Sequence, residues 1–131
     1  MRTSLDIDIA MKAFAGGIIP SDVQLMVNLK DCIEQHYTEQ REQEFYCGRL
    51  CLSKKQLNRL TGSYYGKTVH ELVQDRIHLE VEKMLRYTGI SVKEISLVLG
   101  ICDQGYLCRC FKKRTGKGPK EWREMIRENL T

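Results

Sequence analysis

The sequence predicts an all-α fold of seven helices, arranged as two helix-turn-helix subdomains (homeodomain-like units) joined by a long central helix. Three observations carry that prediction. The composition is globular but poor in sheet signals: 42% of the residues are apolar, 29% charged and 8% aromatic, with two prolines in 131 positions, and no segment alternates valine or isoleucine as a half-buried strand would. Four segments open with a hydroxyl residue followed three positions later by Glu or Gln: Ser21–Gln24, Ser53–Gln56, Thr68–Glu71 and Ser91–Glu94. That is the capping-box pattern, in which side chain and backbone at a helix start satisfy each other's donors. Finally, the chain writes one pattern twice. LNRLTGSYYGK at 57–67 and LCRCFKKRTGK at 107–117 keep leucine, arginine, glycine and lysine at the same offsets.

The elements follow in order. The first helix is expected over 22–40, with Val23, Met26, Val27, Leu29, Ile33 and Tyr37 at mostly helical spacing. Helices over about 44–51, 54–63, 69–87, 92–99, 104–114 and 119–129 come next. Asp103 supplies an acidic cap, and Gly118-Pro119 places proline at a first helical position, where its missing N–H costs nothing. Gly66, Gly89, Gly100 and Gly116 fall at or just beyond helix ends, where a left-handed residue closes the last turn. The expected organisation is a leader or linker over 1–21, a first subdomain over 22–68, a connecting helix over 69–88 and a second subdomain over 89–131.

Each copy reads as a short helix, a tight turn, a second helix and a Gly-Lys exit, the order of a helix-turn-helix. FYCGRLC precedes Ser53 in the first copy, and VKEISLVL precedes Asp103 in the second. Leu50 and Leu99 match at an offset of 49, Leu57 and Leu107 at 50, so the second turn is one residue longer. On the second helix of each copy, Leu57 with Leu60 or Thr61, and Leu107 with Phe111, recur at core spacing. Lys54, Lys55, Asn58, Arg59 and Ser63 are left outward in one copy; Gln104, Cys108, Arg109, Lys112 and Lys113 in the other. Such faces carry the donors and acceptors that read base edges and phosphates. The connecting helix of 19 residues would be roughly 28 Å long at 1.5 Å per residue. Two readers on one face of a duplex sit about 34 Å apart, so a connector of that length suits successive major grooves.

Charge agrees with this placement. The net charge is +4; residues 1–52 hold 5 basic and 8 acidic side chains (−3), and 53–131 hold 16 and 9 (+7). The positive excess lies where the repeat lies, which suits a polyanionic partner.

Other classes are excluded by what the sequence lacks. No apolar run approaches the ~20 residues of a membrane span, and Asp6 and Asp8 interrupt any export-signal core. A cytoplasmic, nucleoid-associated protein with reduced thiols is therefore expected. The six cysteines (32, 47, 51, 102, 108 and 110) make no C-x-x-C, and His36, His70 and His78 are not at zinc-site spacing from them. No metal site is read, and packing explains the thiols better than redox sensing. No Ser-His-Asp set, carboxylate pair or phosphate-cradling glycine loop stands out, so no catalytic residue, cofactor or enzyme activity is read.

The stretch SVKEISLVLGICDQGYLCRCFKKRTGKGPKEWR, 91–123, resembles the signature of the AraC/XylS family of bacterial transcription regulators. FYCGRLCLSKKQLNRLTGSYYGKTVHELVQDRI, 45–77, is similar to the first helix-turn-helix of the same domain. The likeness spans roughly 45–125, with 22–44 fitting the first helix. It implies a two-unit DNA-binding domain that acts as a transcription regulator, most often an activator, with double-stranded DNA as partner, contact with RNA polymerase, and in longer members an upstream effector-sensing domain. Carried over by position, the base-reading residues would be Lys55, Asn58 and Arg59, and Gln104, Gly105, Cys108 and Arg109; Lys54, Ser63, Lys112 and Lys113 would meet phosphates. The chain departs from the pattern in having Ile101 for an aromatic, Cys47 and Ser96 for alanine, Gly105 for serine and Gly118 for threonine. Residues 1–20 are too few for a sensory domain, so the expectation is a stand-alone short regulator or the carboxy-terminal piece of a longer one. A degenerate helical module for protein interaction is the competing reading. Gly62, Gly105 and the acidic first third favour that one.

Overall fold

The computed structural model describes residues 20–130; the expected leader, 1–19 of it, lies outside them. The described residues form seven helices: α1 (Pro20–His36), α2 (Gln43–Leu50), α3 (Lys54–Tyr65), α4 (Val69–Tyr87), α5 (Val92–Val98), α6 (Gln104–Thr115) and α7 (Pro119–Leu130). They gather into two compact units, one ending at Gln74 and the other starting at Asp75, so α4 contributes to both.

The helix starts obey local chemistry. Ser53 accepts from the Gln56 amide at 3.1 Å while its own N–H donates to the Gln56 side chain at 3.0 Å, a complete capping box. Thr68 and Glu71 close a second one, at 3.2 and 3.1 Å. Ser91 accepts from the Glu94 amide at 3.1 Å but turns its hydroxyl proton toward the Glu94 carboxylate, so this box is half formed. At Ser21 the expected cap does not occur. The helix already begins at Pro20, where the absent N–H is no loss, and Ser21 lies inside the first turn.

The helix ends differ more from expectation. α1 stops at His36 rather than continuing to residue 40. The His36 carbonyl takes the N–H groups of both Glu39 and Gln40, and the Tyr46 hydroxyl donates to the Gln40 carbonyl at 2.5 Å. A buried tyrosine on α2 thus pins the chain in a turn that α1 would otherwise run through. α3 runs two residues past the expected 63 before Gly66 closes it at φ 68°. Gly100 and Gly116 are left-handed as expected, at φ 69° and 84°; Gly89 is not, because no positive φ is needed where the Thr88 side chain folds back on the Met84 carbonyl.

In the first unit α1 packs on α2 and α3, and α2 on α3. Met26, Leu29, Ile33, Tyr46, Leu57, Tyr64, Val69 and Val73 fill its core. In the second unit α6 packs on α5 and α7. Its core holds Ile77, Val81, Leu85, Ile95, Leu99, Leu107, Phe111 and Trp122. The Phe111 ring lies 5.4 Å from Trp122, edge to face, and 5.0 Å from His78. Arg123 ties α7 to the end of α4 by donating to the Leu85 carbonyl at 3.1 Å; burial holds its pKa below the usual arginine value, with neighbouring Arg127 adding to the fall.

Candidate nucleic-acid interface

The two units build their turns alike, hydrogen bond for hydrogen bond. In the first, the Leu52 N–H reaches back to the Cys47 carbonyl at 3.0 Å and that of Cys51 to Gly48 at 3.3 Å. In the second, Ile101 reaches Ser96 at 2.8 Å and Gly100 reaches Leu97 at 3.2 Å. Both are Schellman closures with one left-handed residue, Cys51 at φ 56° and Gly100 at φ 69°. Cys47 and Ser96 stand at equivalent places, both buried, with Ser96 donating its hydroxyl to the Lys93 carbonyl at 2.7 Å. The extra residue, Cys102, follows this closure, so it lengthens the connection without disturbing either helix.

Each turn delivers a helix with one buried and one open face. On α3, Leu57, Leu60, Thr61 and Tyr64 are buried. Lys54, Lys55, Arg59 and Ser63 are exposed, and Asn58 is half-buried. On α6, Leu107 and Phe111 are buried. Gln104, Arg109, Lys112 and Lys113 are exposed, and Gly105, Cys108 and Cys110 are half-buried. Thus the residues singled out from the sequence, apart from the half-buried Asn58, Gly105 and Cys108, are exposed on two helices, and Arg59 and Arg109 share a register there.

Several of them have further partners in the structure. Among the described residues, Lys55 and Arg59 make no ion pair, whereas Lys54 lies 3.9 Å from Glu44 in an exposed pair. Asn58 is committed inside its own unit. Its amide donates to Gln43 at 3.1 Å and its carbonyl accepts the Val69 N–H at 3.0 Å, joining the starts of α2 and α4 to the middle of α3. On α6, Asp103 accepts the Gly105 N–H at 2.9 Å as the helix cap and faces Arg109 at 3.6 Å. Sequence reasoning placed Asp103 only as a cap. The legible clue was a glycine between a capping acid and an outward arginine. Arg114, at the far end of α6, pairs with Asp75 of the same unit at 2.8 Å.

The thiols divide: Cys32 and Cys47 are buried, Cys51 and Cys102 exposed, and all six are free. Among the described residues no cluster of three His, Cys, Asp or Glu could hold a metal, and no helix is long and apolar enough to cross a membrane.

A family profile described as a helix-turn-helix domain matches residues 46–125, both turns included. The chain belongs to the AraC/XylS family of helix-turn-helix transcription regulators. It is 35% identical to the probable transcription factor PqrA of Proteus vulgaris over 72 residues, 55% of this chain and 59% of PqrA. It is 24% identical to the HTH-type transcriptional regulator YijO of Escherichia coli (strain K12) over 103 residues, 79% of this chain and 36% of YijO. The chain therefore spans between about a third and three fifths of the length of these relatives. The fold matches the DNA-binding domain of AdpA, a global transcriptional factor whose crystal structure contains a target DNA, with a TM-score of 0.73 at 20% identity over 79% of this chain and 93% of that one.

Proposed function

We propose that this AraC-family protein binds double-stranded DNA sequence-specifically, setting α3 and α6 into successive major grooves of one duplex and activating transcription through contact with RNA polymerase. One observation carries this reading: two helices with matching turns hold Arg59 and Arg109 at the same register on open, basic faces. Arginine is the side chain best shaped to donate to two acceptors of a guanine edge at once. Lys55, Gln104 and Cys108 stand beside the arginines as further base-reading residues, with Gly105 among them leaving room for the Arg109 side chain. Lys54, Ser63, Lys112 and Lys113 are assigned to phosphates. Asn58 acts in this scheme by fixing α3 against its neighbours. The DNA-bound state of the similarly folded AdpA domain supports the partner. The reaction involves no covalent chemistry. Affinity comes from counterion release, and discrimination from base edges.

Selection of bound sequences from a random duplex pool, followed by gel shift, tests the reading. Arg59→Ala and Arg109→Ala are each expected to lose about 1–3 kcal/mol of specific binding and to relax preference at a few base pairs. Hydroxyl-radical cleavage is expected to show two protected patches about one helical turn apart. Parent-like binding by both arginine variants would refute the assignment.

A further inference from the structure

We propose that Asp103 is a positioning residue that sets base preference in the second unit: across the gap left by Gly105, it holds the Arg109 guanidinium over the first turn of α6. This rests on the DNA-binding reading above and deepens it. The two oxygens of Asp103 do different things. Oδ1 accepts the Gly105 N–H at 2.9 Å, which fixes the carboxylate on the helix end. Oδ2 then faces Arg109 Nη2 at 3.6 Å. Helical side chains lean toward the N-terminus, so Arg109 can reach back along α6 to meet it.

Glycine gives the meeting room. A Cβ at position 105 would lie 3.1 Å from Asp103 Oδ1 and 3.2 Å from Arg109 Nη1, closer than a side-chain carbon ordinarily comes. The backbone does not call for glycine here, because Gly105 lies inside a helix and has no positive φ. Within a helix it is less favourable than alanine, so what it contributes is space. The equivalent position in the first unit is Lys55, and Arg59 makes no ion pair among the described residues. The two copies therefore present their arginines differently: one is tethered and the other is not.

A tethered guanidinium samples fewer orientations and keeps N–H groups free for one acceptor edge. The carboxylate beside it disfavours the alternative of turning to a phosphate. The pair is 70% and 66% exposed, so solvent weakens it. Exposed pairs of this kind are worth a factor of about 1.4 to 5.

The experiment uses the intact chain and the duplex that the parent selects from a random pool. Each base pair is changed in turn, and competition binding is measured for the parent, Asp103→Asn, Gly105→Ala, Arg109→Ala and the Asp103→Asn/Arg109→Ala double variant. Asparagine caps helices as well as aspartate does, so Asp103→Asn is expected to melt with the parent, and Gly105→Ala no lower. Both are expected to weaken preference about 1.4- to 5-fold at the base pairs that Arg109→Ala relaxes, and to leave those that Arg59→Ala relaxes untouched. In the Arg109→Ala background, Asp103→Asn is expected to add nothing. Unchanged preference in Asp103→Asn, equal loss at the base pairs of both arginines, or a loss that persists in the double variant overturns the inference. A parent with no base preference at all would overturn the DNA-binding reading and this inference together. A discriminating parent matched by Asp103→Asn would overturn this inference alone.

Discussion

Cys51 and Gly100 occupy the same corner of the two turns, and only one of them suits it. A residue with a Cβ pays about 1–2 kcal/mol in the left-handed region, while glycine there gives back about 0.5–1 kcal/mol through the freedom of the unfolded chain. Cys51→Gly is therefore expected to stabilise the first unit by about 0.5–1 kcal/mol, and Gly100→Ala to destabilise the second by about 1 kcal/mol; thermal or urea unfolding checks both. Tyr46 makes a prediction about pH. Its hydroxyl is buried and donates to the Gln40 carbonyl. Burial first, and then Cys32, pushes its pKa from 10.0 to about 12, against a smaller opposing effect of Arg41. The folded state thus holds its proton to higher pH than the unfolded state. The stability this contributes is complete below pH 10 and declines as pH rises toward about 12. In alkaline titrations of stability, Tyr46→Phe is expected to flatten that decline. Neither effect was legible in the sequence. FYCGRLC shows a short helix, but not that its cysteine neighbour is left-handed or that its tyrosine reaches residue 40.

At the scale of elements, helix starts were far more legible than helix ends. Ser53 and Thr68 behave as their capping boxes predict, because the partners lie three residues apart and close within one turn. Removal of the Ser53 hydroxyl by Ser53→Ala is expected to cost about 1 kcal/mol, measured by chemical denaturation. Ser21 failed as a cap because Pro20 starts the helix one residue earlier. The spacing within α1 carries the helix past its true end because the hydrogen bond that fixes that end comes from α2, and periodicity within α1 contains no trace of it. Asn58 shows the same effect on a candidate site. Its spacing is that of an outward residue, yet its amide bonds residues 15 and 11 positions away. Asn58→Ala is expected to cost about 1–2 kcal/mol of stability in the first unit by stranding the Val69 N–H, an effect visible in unfolding experiments without DNA.

For the molecule as a whole, charge placement and the repeat belong together. The excess of +7 over residues 53–131 lies on the helices proposed to meet DNA, and such binding weakens steeply with salt. Each phosphate contact contributes roughly −0.9 to the slope of log affinity against log salt. Lys112→Ala with Lys113→Ala is expected to reduce that slope by about 2 and to leave base preference intact, as binding across a salt series would show. The sequence by itself determined the all-α class, the seven helices of the described residues and the two copies of the turn. Those follow from interactions within one or two helical turns, which neighbouring residues encode. Only the tertiary structure decided where α1 stops, that Asn58 is engaged within its unit, and that Arg109 shares Asp103 while Arg59 has no such partner. These depend on the direction and reach of side chains once the backbone has folded, and residue order does not specify them.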